Sequence, residues 1–280
     1  MPVARESAVD ADRETAVAAA AERLERAESE RRPCPPVRDL LGAADVAAAY
    51  EVQQRITCRR LAGGARVVGR KIGLTSPAVQ RQMGVAQPDF GVLFDDMDVS
   101  GLPAVPSERL LQPRVEAEIA FVLGEDLDEG TLDLARVRAA VDHAVPALEI
   151  VDSRITDWDI AISDTVADNA SSGLFVLGDS HVPLADFQPV EVAMTLHLDG
   201  QVASRGNGAA CLGDPLEALL WLARTARGLG DPLRAGQVVL SGALGPLVPV
   251  GPGARVEAGF STLGTVSATF SHPEAPGEAP

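Results

Sequence analysis

Short apolar runs separated by glycine and proline make up most of the chain from residue 66 onward. Runs of this length, bounded by such breakers, are typical of β-strands. They do not alternate regularly with long helical segments, which argues against a TIM barrel or a doubly wound parallel sheet. The pattern predicts an α+β domain with a mixed, mostly antiparallel β-sheet core. The predicted strands are Val67 to Ile72, Val115 to Leu123, Ala147 to Val151, Leu174 to Leu177, Val192 to Leu198, Val238 to Leu240, Val256 to Phe260 and Val266 to Phe270.

Helical patterns occur in four segments. A proline-rich stretch at residues 33–36 ends the first of them, and Asp214 followed by Pro215 is typical of the start of the last one. The predicted helices cover about residues 11 to 31, Ala43 to Leu61, Leu132 to Val141 and Asp214 to Gly228. We therefore divide the chain into a charged helical N-terminal region at residues 1–35, a catalytic domain at residues 36–271 and a disordered tail at residues 272–280.

The charge of the chain limits its partners. It has 24 Lys and Arg against 40 Asp and Glu, a formal net charge of -16. Such a surface repels nucleic acid and anionic membranes, and an anionic small substrate needs a local positive centre. The sequence shows neither the apolar core of a signal peptide nor a run of about 18 apolar residues. Its three cysteines are far apart and form no CxxC pair, so we expect a cytoplasmic protein without a disulfide framework.

Two carboxylates fall on one face of a predicted strand. In the segment PRVEAEIAFVL, strand alternation places Glu116 and Glu118 opposite an apolar face. Like charges so close are costly when buried unless a cation neutralises them, and carboxylates favour Mg²⁺, Mn²⁺ or Ca²⁺ over zinc. A Glu-x-Glu pair also arises about once by chance in a chain this rich in glutamate, and Glu28-Ser29-Glu30 is such a case.

A third carboxylate strengthens the metal hypothesis. Glu149 lies between Leu148 and Ile150 in another short apolar run, where an isolated charge needs a partner. Lys71 interrupts a different apolar run, either because its ammonium reaches solvent at the end of a strand or because it lies in an acidic pocket.

Two further polar segments have alternative interpretations. QPDFG, which contains Asp89, is either a plain turn or part of the site; the rest of a protein kinase signature is missing from the sequence. DTVADNASSG, which ends before an apolar run, is either a capped turn or a set of polar groups at the end of a strand.

Six segments occur in an order that resembles one enzyme group. They are GRKIGLTS at 69–76, QPDFG at 87–91, PRVEAEIAFVL at 113–123, PALEIVDSRITDWD at 146–159, DTVADNASSG at 164–173 and SGALGPLVPV at 241–250. Together they resemble the 2-oxopent-4-enoate hydratase and 4-oxalocrotonate decarboxylase group of the fumarylacetoacetate hydrolase superfamily. The resemblance covers roughly residues 40 to 271, and six ordered motifs are far more specific than one.

The resemblance implies a fumarylacetoacetate hydrolase-like sheet curled around the site, an Mg²⁺ or Mn²⁺ ion and a homo-oligomer. It assigns Glu116, Glu118 and Glu149 as metal ligands. It further assigns Lys71 and Asp89 to proton handling or water positioning, and Ser171 to substrate contact, with Ser172 as the alternative.

The implied activity is that of a lyase acting on a small 2-oxo acid. A divalent ion could polarise the 2-oxo group, so that water adds to a 2-hydroxydienoate and gives a 4-hydroxy-2-oxo acid. The same activation would serve decarboxylation of a 2-oxo-enedioate of the 4-oxalocrotonate type. A non-catalytic scaffold subunit of the same fold is a third hypothesis, motivated by the charged N-terminal region. Hydrolases of the resembled superfamily activate water with a His and Glu dyad on an N-terminal-side loop. This sequence has no histidine before His143, so the resemblance disfavours hydrolysis of a carbon–carbon bond.

Overall fold

A computed structural model describes residues 3–76, residue 80 and residues 87–272, without the side chains of residues 3–10. The tail predicted at 272–280 lies, after residue 272, outside the described residues. The helices are α1 Val3–Ser29, α2 Arg38–Leu41, α3 Val46–Ala62, α4 Leu134–Ala140, α5 Ile162–Ala167 and α6 Pro215–Gly228. Among these described helices, none has the length and apolar character needed to cross a membrane.

The described strands form two sheets. They are β1 Val67–Gly73, β2 Asp89–Phe94, β3 Arg114–Leu123, β4 Val141–Val151, β5 Ser172–Leu177, β6 Ala193–Leu198, β7 Gln201–Asn207, β8 Val238–Ala243, β9 Val248–Pro249, β10 Arg255–Phe260 and β11 Gly264–Thr269. The larger sheet has the order β2-β1-β8-β3-β4-β5, with β9 paired to β3, and the smaller one has the order β11-β10-β6-β7. Only the β1–β8 pair is parallel in these sheets, which confirms the predicted mixed, mostly antiparallel α+β core.

The two faces of β3 have different environments. Val115, Ala117, Ile119 and Phe121 point into the main apolar core, together with residues of the smaller sheet and of α6. The opposite face carries Glu116 and Glu118 and, two residues further along the strand, Ala120. Ala120 belongs to a separate apolar cluster that also contains Ala147, Phe175 and Leu240. The inner face of the larger sheet is therefore polar at one end and apolar at the other.

The larger sheet is curled, and contacts between its two end strands, β2 and β5, close the curl. The side-chain amide of Asn169, just before β5, makes two hydrogen bonds with the backbone of β2. Val92 N–H donates to Asn169 Oδ1 at 2.7 Å, and Asn169 Nδ2 donates to Val92 O at 2.9 Å. Gly91 in β2 lies so close to Asn169 and Ser172 that a Cβ atom would overlap them. This contact brings β2, β1 and β5 around one interior.

The N-terminal helices support one side of this interior. Val17, Leu24 and neighbouring alanines of α1 share an apolar cluster with Val52 of α3 and Val166 of α5. The buried side chain of Gln53 in α3 donates to Phe90 O at 2.9 Å and to Val166 O at 3.1 Å. The apolar core thus continues across residue 35, and the domain boundary placed there stays a prediction.

The structure also extends the predicted set of strands. Asp89–Phe94, where QPDFG could have been a plain turn, forms β2 and is buried along its whole length. β7 was not predicted because most of its residues are exposed and few are apolar. A strand buried on both faces and a strand at an exposed edge both lack the alternation that identifies a strand in the sequence.

Shortening Leu24 should destabilise the protein, because its side chain is buried between α1 and α3. We expect Leu24→Ala to lower the free energy of unfolding by about 2 to 5 kcal/mol. Glu22→Ala, an exposed change in the same helix, is the matched control and should alter it by no more than about 0.5 kcal/mol. Urea unfolding measures the free energy of unfolding of both variants. A loss in Leu24→Ala as small as that in Glu22→Ala would mean that the Leu24 side chain contributes no core packing.

Candidate metal centre

Three glutamates meet on the inner face of the larger sheet. Glu116 in β3 lies directly opposite Glu149 in β4, and Glu118 is two residues further along β3. One carboxylate oxygen of each lies within 4.8 Å of those of the other two. Strand pairing alone produces this convergence, because residues at these positions of neighbouring antiparallel strands share a face.

The cluster is short of positive partners. Glu118 and Glu149 are 0% and 1% exposed. Glu118 Oε2 accepts a hydrogen bond from Gly242 N–H at 2.8 Å. Glu118 Oε1 and Glu149 Oε2 have no hydrogen-bond partner among the described residues. Buried polar atoms without partners are costly, so oxygens that converge without donors fit a cation.

The pKa values of the glutamates reflect the same lack of positive partners. Burial, and then the neighbouring charge of Glu149, raise the pKa of Glu116 to about 7. The pKa of Glu118 is raised well above its ordinary value by burial and by the charges of Glu149 and Glu116. Near neutral pH the metal-free cluster therefore retains protons that an incoming cation would displace.

Lys71 is the ammonium closest to this cluster. It lies in β1, is 3% exposed, and its Nζ is 2.9 Å from Glu149 Oε1. Burial by itself would lower the pKa of Lys71, but the carboxylates of Glu149, Asp89 and Glu116 outweigh that effect and raise it. Lys71 therefore holds its proton at Nζ, and the alternative of a lysine reaching solvent at the end of a strand is wrong.

Asp89 lies beside Lys71 at the start of β2, opposite Gly73 of β1. Its carboxylate occupies the space that a Cβ atom at residue 73 would fill, so a glycine is needed there. Thr165 Oγ1 of α5 donates to Asp89 Oδ2 at 3.4 Å, and Asp89 Oδ1 has no partner among the described residues. Burial raises the pKa of Asp89 to about 6, although the Lys71 ammonium opposes the shift.

Ser171 and Ser172 differ in what their hydroxyl groups do. Ser172 Oγ donates to Asn169 O at 2.7 Å, whereas Ser171 Oγ is buried without a partner among the described residues. Ser171 has φ of 53°, in a turn where Asn169 and Ala170 are also left-handed. None of the described contacts joins Ser171 to Lys71 or to the three glutamates. Its role as a substrate contact stays a prediction, and its free hydroxyl favours it over Ser172.

Two contacts of the site were not singled out from the sequence. The Gly242 N–H and the Thr165 hydroxyl hold Glu118 and Asp89 respectively. Gly242 lies in the segment SGALG and Thr165 in the segment DTVADN, both of which belong to the six ordered motifs. A backbone donor and a hydroxyl from a short helix carry no signal of their own, because their partners are distant in the sequence.

Known proteins resemble this chain over nearly its whole length. The family model described as "Fumarylacetoacetate (FAA) hydrolase C-terminal" matches residues 79–271. A protein of Pseudomonas putida named TodF product hydratase is 52% identical over 95% of this chain and 99% of its own length. A 2-keto-4-pentenoate hydratase of Burkholderia vietnamiensis is 52% identical over 92% of this chain and 98% of its own.

A solved structure has the same overall fold. The 4-oxalocrotonate decarboxylase of Pseudomonas putida G7, in complex with magnesium and adipate, superposes with a TM-score of 0.87 at 35% identity, and the match covers 92% of this chain and 98% of the decarboxylase. With a family model across most of the sequence and relatives of this identity, the chain belongs to the fumarylacetoacetate hydrolase family.

Proposed function

We propose that the protein is a divalent-metal-dependent hydratase that adds water to a 2-hydroxydienoate and gives a 4-hydroxy-2-oxo acid. The observation that carries the proposal is the cluster of half-buried Glu116 with buried Glu118 and Glu149, whose oxygens lack partners among the described residues. Lys71 and Asp89 lie beside it. The hydratases that are 52% identical to this chain over nearly their whole length support the choice of reaction. A cytoplasmic homo-oligomer is part of the same proposal.

Glu116, Glu118 and Glu149 would hold the cation. Carboxylate oxygens without sulfur or imidazole are the ligand set of hard ions, so Mg²⁺ and Mn²⁺ fit the site. When bound, such an ion would ease loss of the 2-hydroxyl proton of the dienoate and would make the resulting unsaturated 2-oxo acid a better electrophile for water. The magnesium in the related decarboxylase supports this assignment.

Lys71 and Asp89 have protonation states that suit proton transfer. Lys71 Nζ keeps its proton and can donate it to the terminal carbon of the dienoate, and the proton that the 2-hydroxyl group loses would return to Nζ. With a pKa of about 6, Asp89 is mostly ionised near neutral pH, so Oδ1 can accept a proton from the water that adds at the next carbon and pass it to the carbon beside the 2-oxo group. Thr165 keeps the Asp89 carboxylate oriented. Addition of water to the diene consumes one water molecule and leaves no other product.

Decarboxylation of a 2-oxo-enedioate is the second candidate. The 35% identical decarboxylase with the same fold supports it, and the same residues would serve either reaction. The higher identity to the hydratases places hydration first. A non-catalytic scaffold is the weakest hypothesis, since it gives no reason to bury Lys71 among carboxylates.

Replacement of one ligand should weaken metal binding. We expect Glu118→Gln, which keeps the shape of the side chain, to lower the affinity for Mn²⁺ at least about tenfold, because a neutral amide oxygen attracts the cation less than a carboxylate does. Glu257→Gln, at an exposed position in the smaller sheet, is the control for a lost carboxylate and should bind Mn²⁺ as the unchanged protein does. Isothermal titration calorimetry measures both, and full Mn²⁺ affinity in Glu118→Gln would exclude the assignment of this ligand.

The stabilisation by Mn²⁺ should grow with pH. Glutamates ionise near pH 4.3 in an unfolded chain, whereas in the folded protein the pKa of Glu116 is about 7 and that of Glu118 is well raised. The folded state binds more protons in this window, so the stability of the metal-free protein decreases as pH rises. Mn²⁺ binds the ionised cluster, so the increase in Tm should be larger at pH 8 than at pH 5.5. A metal-induced shift in Tm that does not depend on pH would contradict the proposed cluster.

The reaction itself can be tested with two substrates. The Mn²⁺-loaded protein should consume the absorbance of 2-hydroxypenta-2,4-dienoate and form 4-hydroxy-2-oxopentanoate, with little release of CO₂ from 2-oxohex-3-enedioate. We expect Asp89→Asn to lower kcat about 10²- to 10⁴-fold while Mn²⁺ still binds. CO₂ release without hydration would make the protein a decarboxylase, and absence of both activities would exclude the proposed function.

A further inference from the structure

Three successive residues with side chains adopt a left-handed backbone conformation just before β5. Asn169, Ala170 and Ser171 have φ of 53°, 52° and 53°. Such a run is disfavoured, because in each of these residues the Cβ atom comes close to the following carbonyl oxygen. Strained segments persist only where their surroundings hold them, and they occur most often at functional sites. We call residues 169–171 the left-handed turn.

The left-handed turn lies between two strands that carry residues of the candidate site. Its first residue bonds to Val92 of β2, the strand that begins with Asp89. At its other end, the Ser171 carbonyl accepts a hydrogen bond from Asp152 N–H at 2.8 Å, just after the end of β4, which carries Glu149. The turn is therefore fixed relative to the strand of a proposed proton acceptor and to the strand of a proposed metal ligand.

The guanidinium of Arg154 contacts both ends of the left-handed turn. Arg154 Nη2 donates to Asp168 O at 2.5 Å, before the turn, and Nη1 donates to Ser172 O at 2.6 Å, after it. Nη1 also donates to Asp152 O at 2.8 Å. Nε pairs with the carboxylate of Asp168, whose side chain is 1% exposed. One planar fork thus bridges the two ends of the turn, and a lysine ammonium does not provide that fixed geometry.

One polar side-chain group of the left-handed turn has no described partner. Asn169 uses its amide on Val92, and its carbonyl accepts a hydrogen bond from Ser172 Oγ at 2.7 Å. Ser171 is 3% exposed, and its Oγ lacks a hydrogen-bond partner in the part of the chain that the structure describes. A buried hydroxyl without a partner is costly, so this one fits a ligand that accepts its hydrogen bond. The carboxylate of a 2-oxo acid is such an acceptor.

We propose that Arg154 is a positioning residue, which holds the left-handed turn so that the Ser171 hydroxyl can donate to the carboxylate of the substrate. The inference rests on the proposed hydratase function and on the substrate contact predicted for Ser171. Arg154 acts through the turn, because its described side-chain hydrogen bonds all go to protein groups. A change of this side chain should therefore weaken substrate binding and leave the metal centre and the proton-transfer groups in place.

A double-mutant cycle tests this role in the Mn²⁺-loaded full chain. Ser171→Ala should raise KM for 2-hydroxypenta-2,4-dienoate about tenfold, with little change in kcat, because one hydrogen bond to a charged group is lost. Arg154→Lys, which keeps the charge but not the fork, should raise KM by a similar factor. In the Ser171→Ala protein, Arg154→Lys should add no more than about twofold, because the contact that it positions is already gone. Calorimetry should show the same Mn²⁺ affinity in all three variants.

Further variants separate positioning from general structural support. Arg136→Lys changes another half-buried arginine that bonds to a carbonyl and a carboxylate, and it should leave KM unchanged. Ala170→Gly should partly restore KM in the Arg154→Lys protein, because glycine adopts a positive φ without strain. If Arg154→Lys does not fold, the same cycle is measured with Asp168→Asn, which weakens the ion pair of Arg154 and should raise KM only while the Ser171 hydroxyl is present.

Each other result overturns the inference. An unchanged KM in Arg154→Lys or in Ser171→Ala would do so, and so would a rise that is equally large with and without the Ser171 hydroxyl. A rise in KM that Ala170→Gly does not lower, or a loss of kcat or of Mn²⁺ affinity in Arg154→Lys, would mean that the arginine only supports the fold. Failure of the unchanged protein to hydrate the dienoate refutes the proposed function, whereas hydration with additive effects of the two substitutions refutes this inference alone.

Discussion

Burial of like charges is the constraint on which the rest of the structure depends. Four carboxylates, Glu116, Glu118, Glu149 and Asp89, surround the single ammonium of Lys71. Fully ionised, these five groups would carry a net charge of -3, four negative charges against one positive. The desolvation cost of each buried ion is several kcal/mol unless partners compensate it. Retained protons relieve part of this cost in the metal-free protein, and a divalent cation would relieve it more completely.

The remainder of the fold keeps these groups together despite their repulsion. The pairing of β3 with β4 and with β8 fixes the backbone of the glutamates, and the N–H of Gly242 fixes one oxygen of Glu118. On the other side, α5 positions Thr165 against Asp89, and α5 is itself packed between α3 and the sheet. The N-terminal helices therefore belong to the support of the site, although they contribute none of its charged groups.

The sequence predicted the fold class and the candidate ligands for different physical reasons. Apolar runs between glycine and proline residues identified most strands, because a strand with a buried face needs apolar residues whichever strand it pairs with. The three ligands were assigned together only through the resemblance of six ordered motifs, since the register of β3 against β4, which places Glu149 beside Glu116, is not visible in either segment alone. Strand β2 lacks alternation because both of its faces are buried, so its sequence did not identify it as a strand.

The parallel pairing of β1 with β8 has a consequence for how the protein is made. Gly69 pairs with Val238, so the strand that carries Lys71 finds this neighbour only after most of the chain has been synthesised. Contacts between such distant residues form slowly, because a long loop must be closed before they can stabilise anything. The donor that holds Glu118, at Gly242, belongs to the same late strand. During synthesis on the ribosome the β3–β4 pair that carries the three glutamates can thus form before β8 supplies the Gly242 donor and joins the strand of Lys71 to β3.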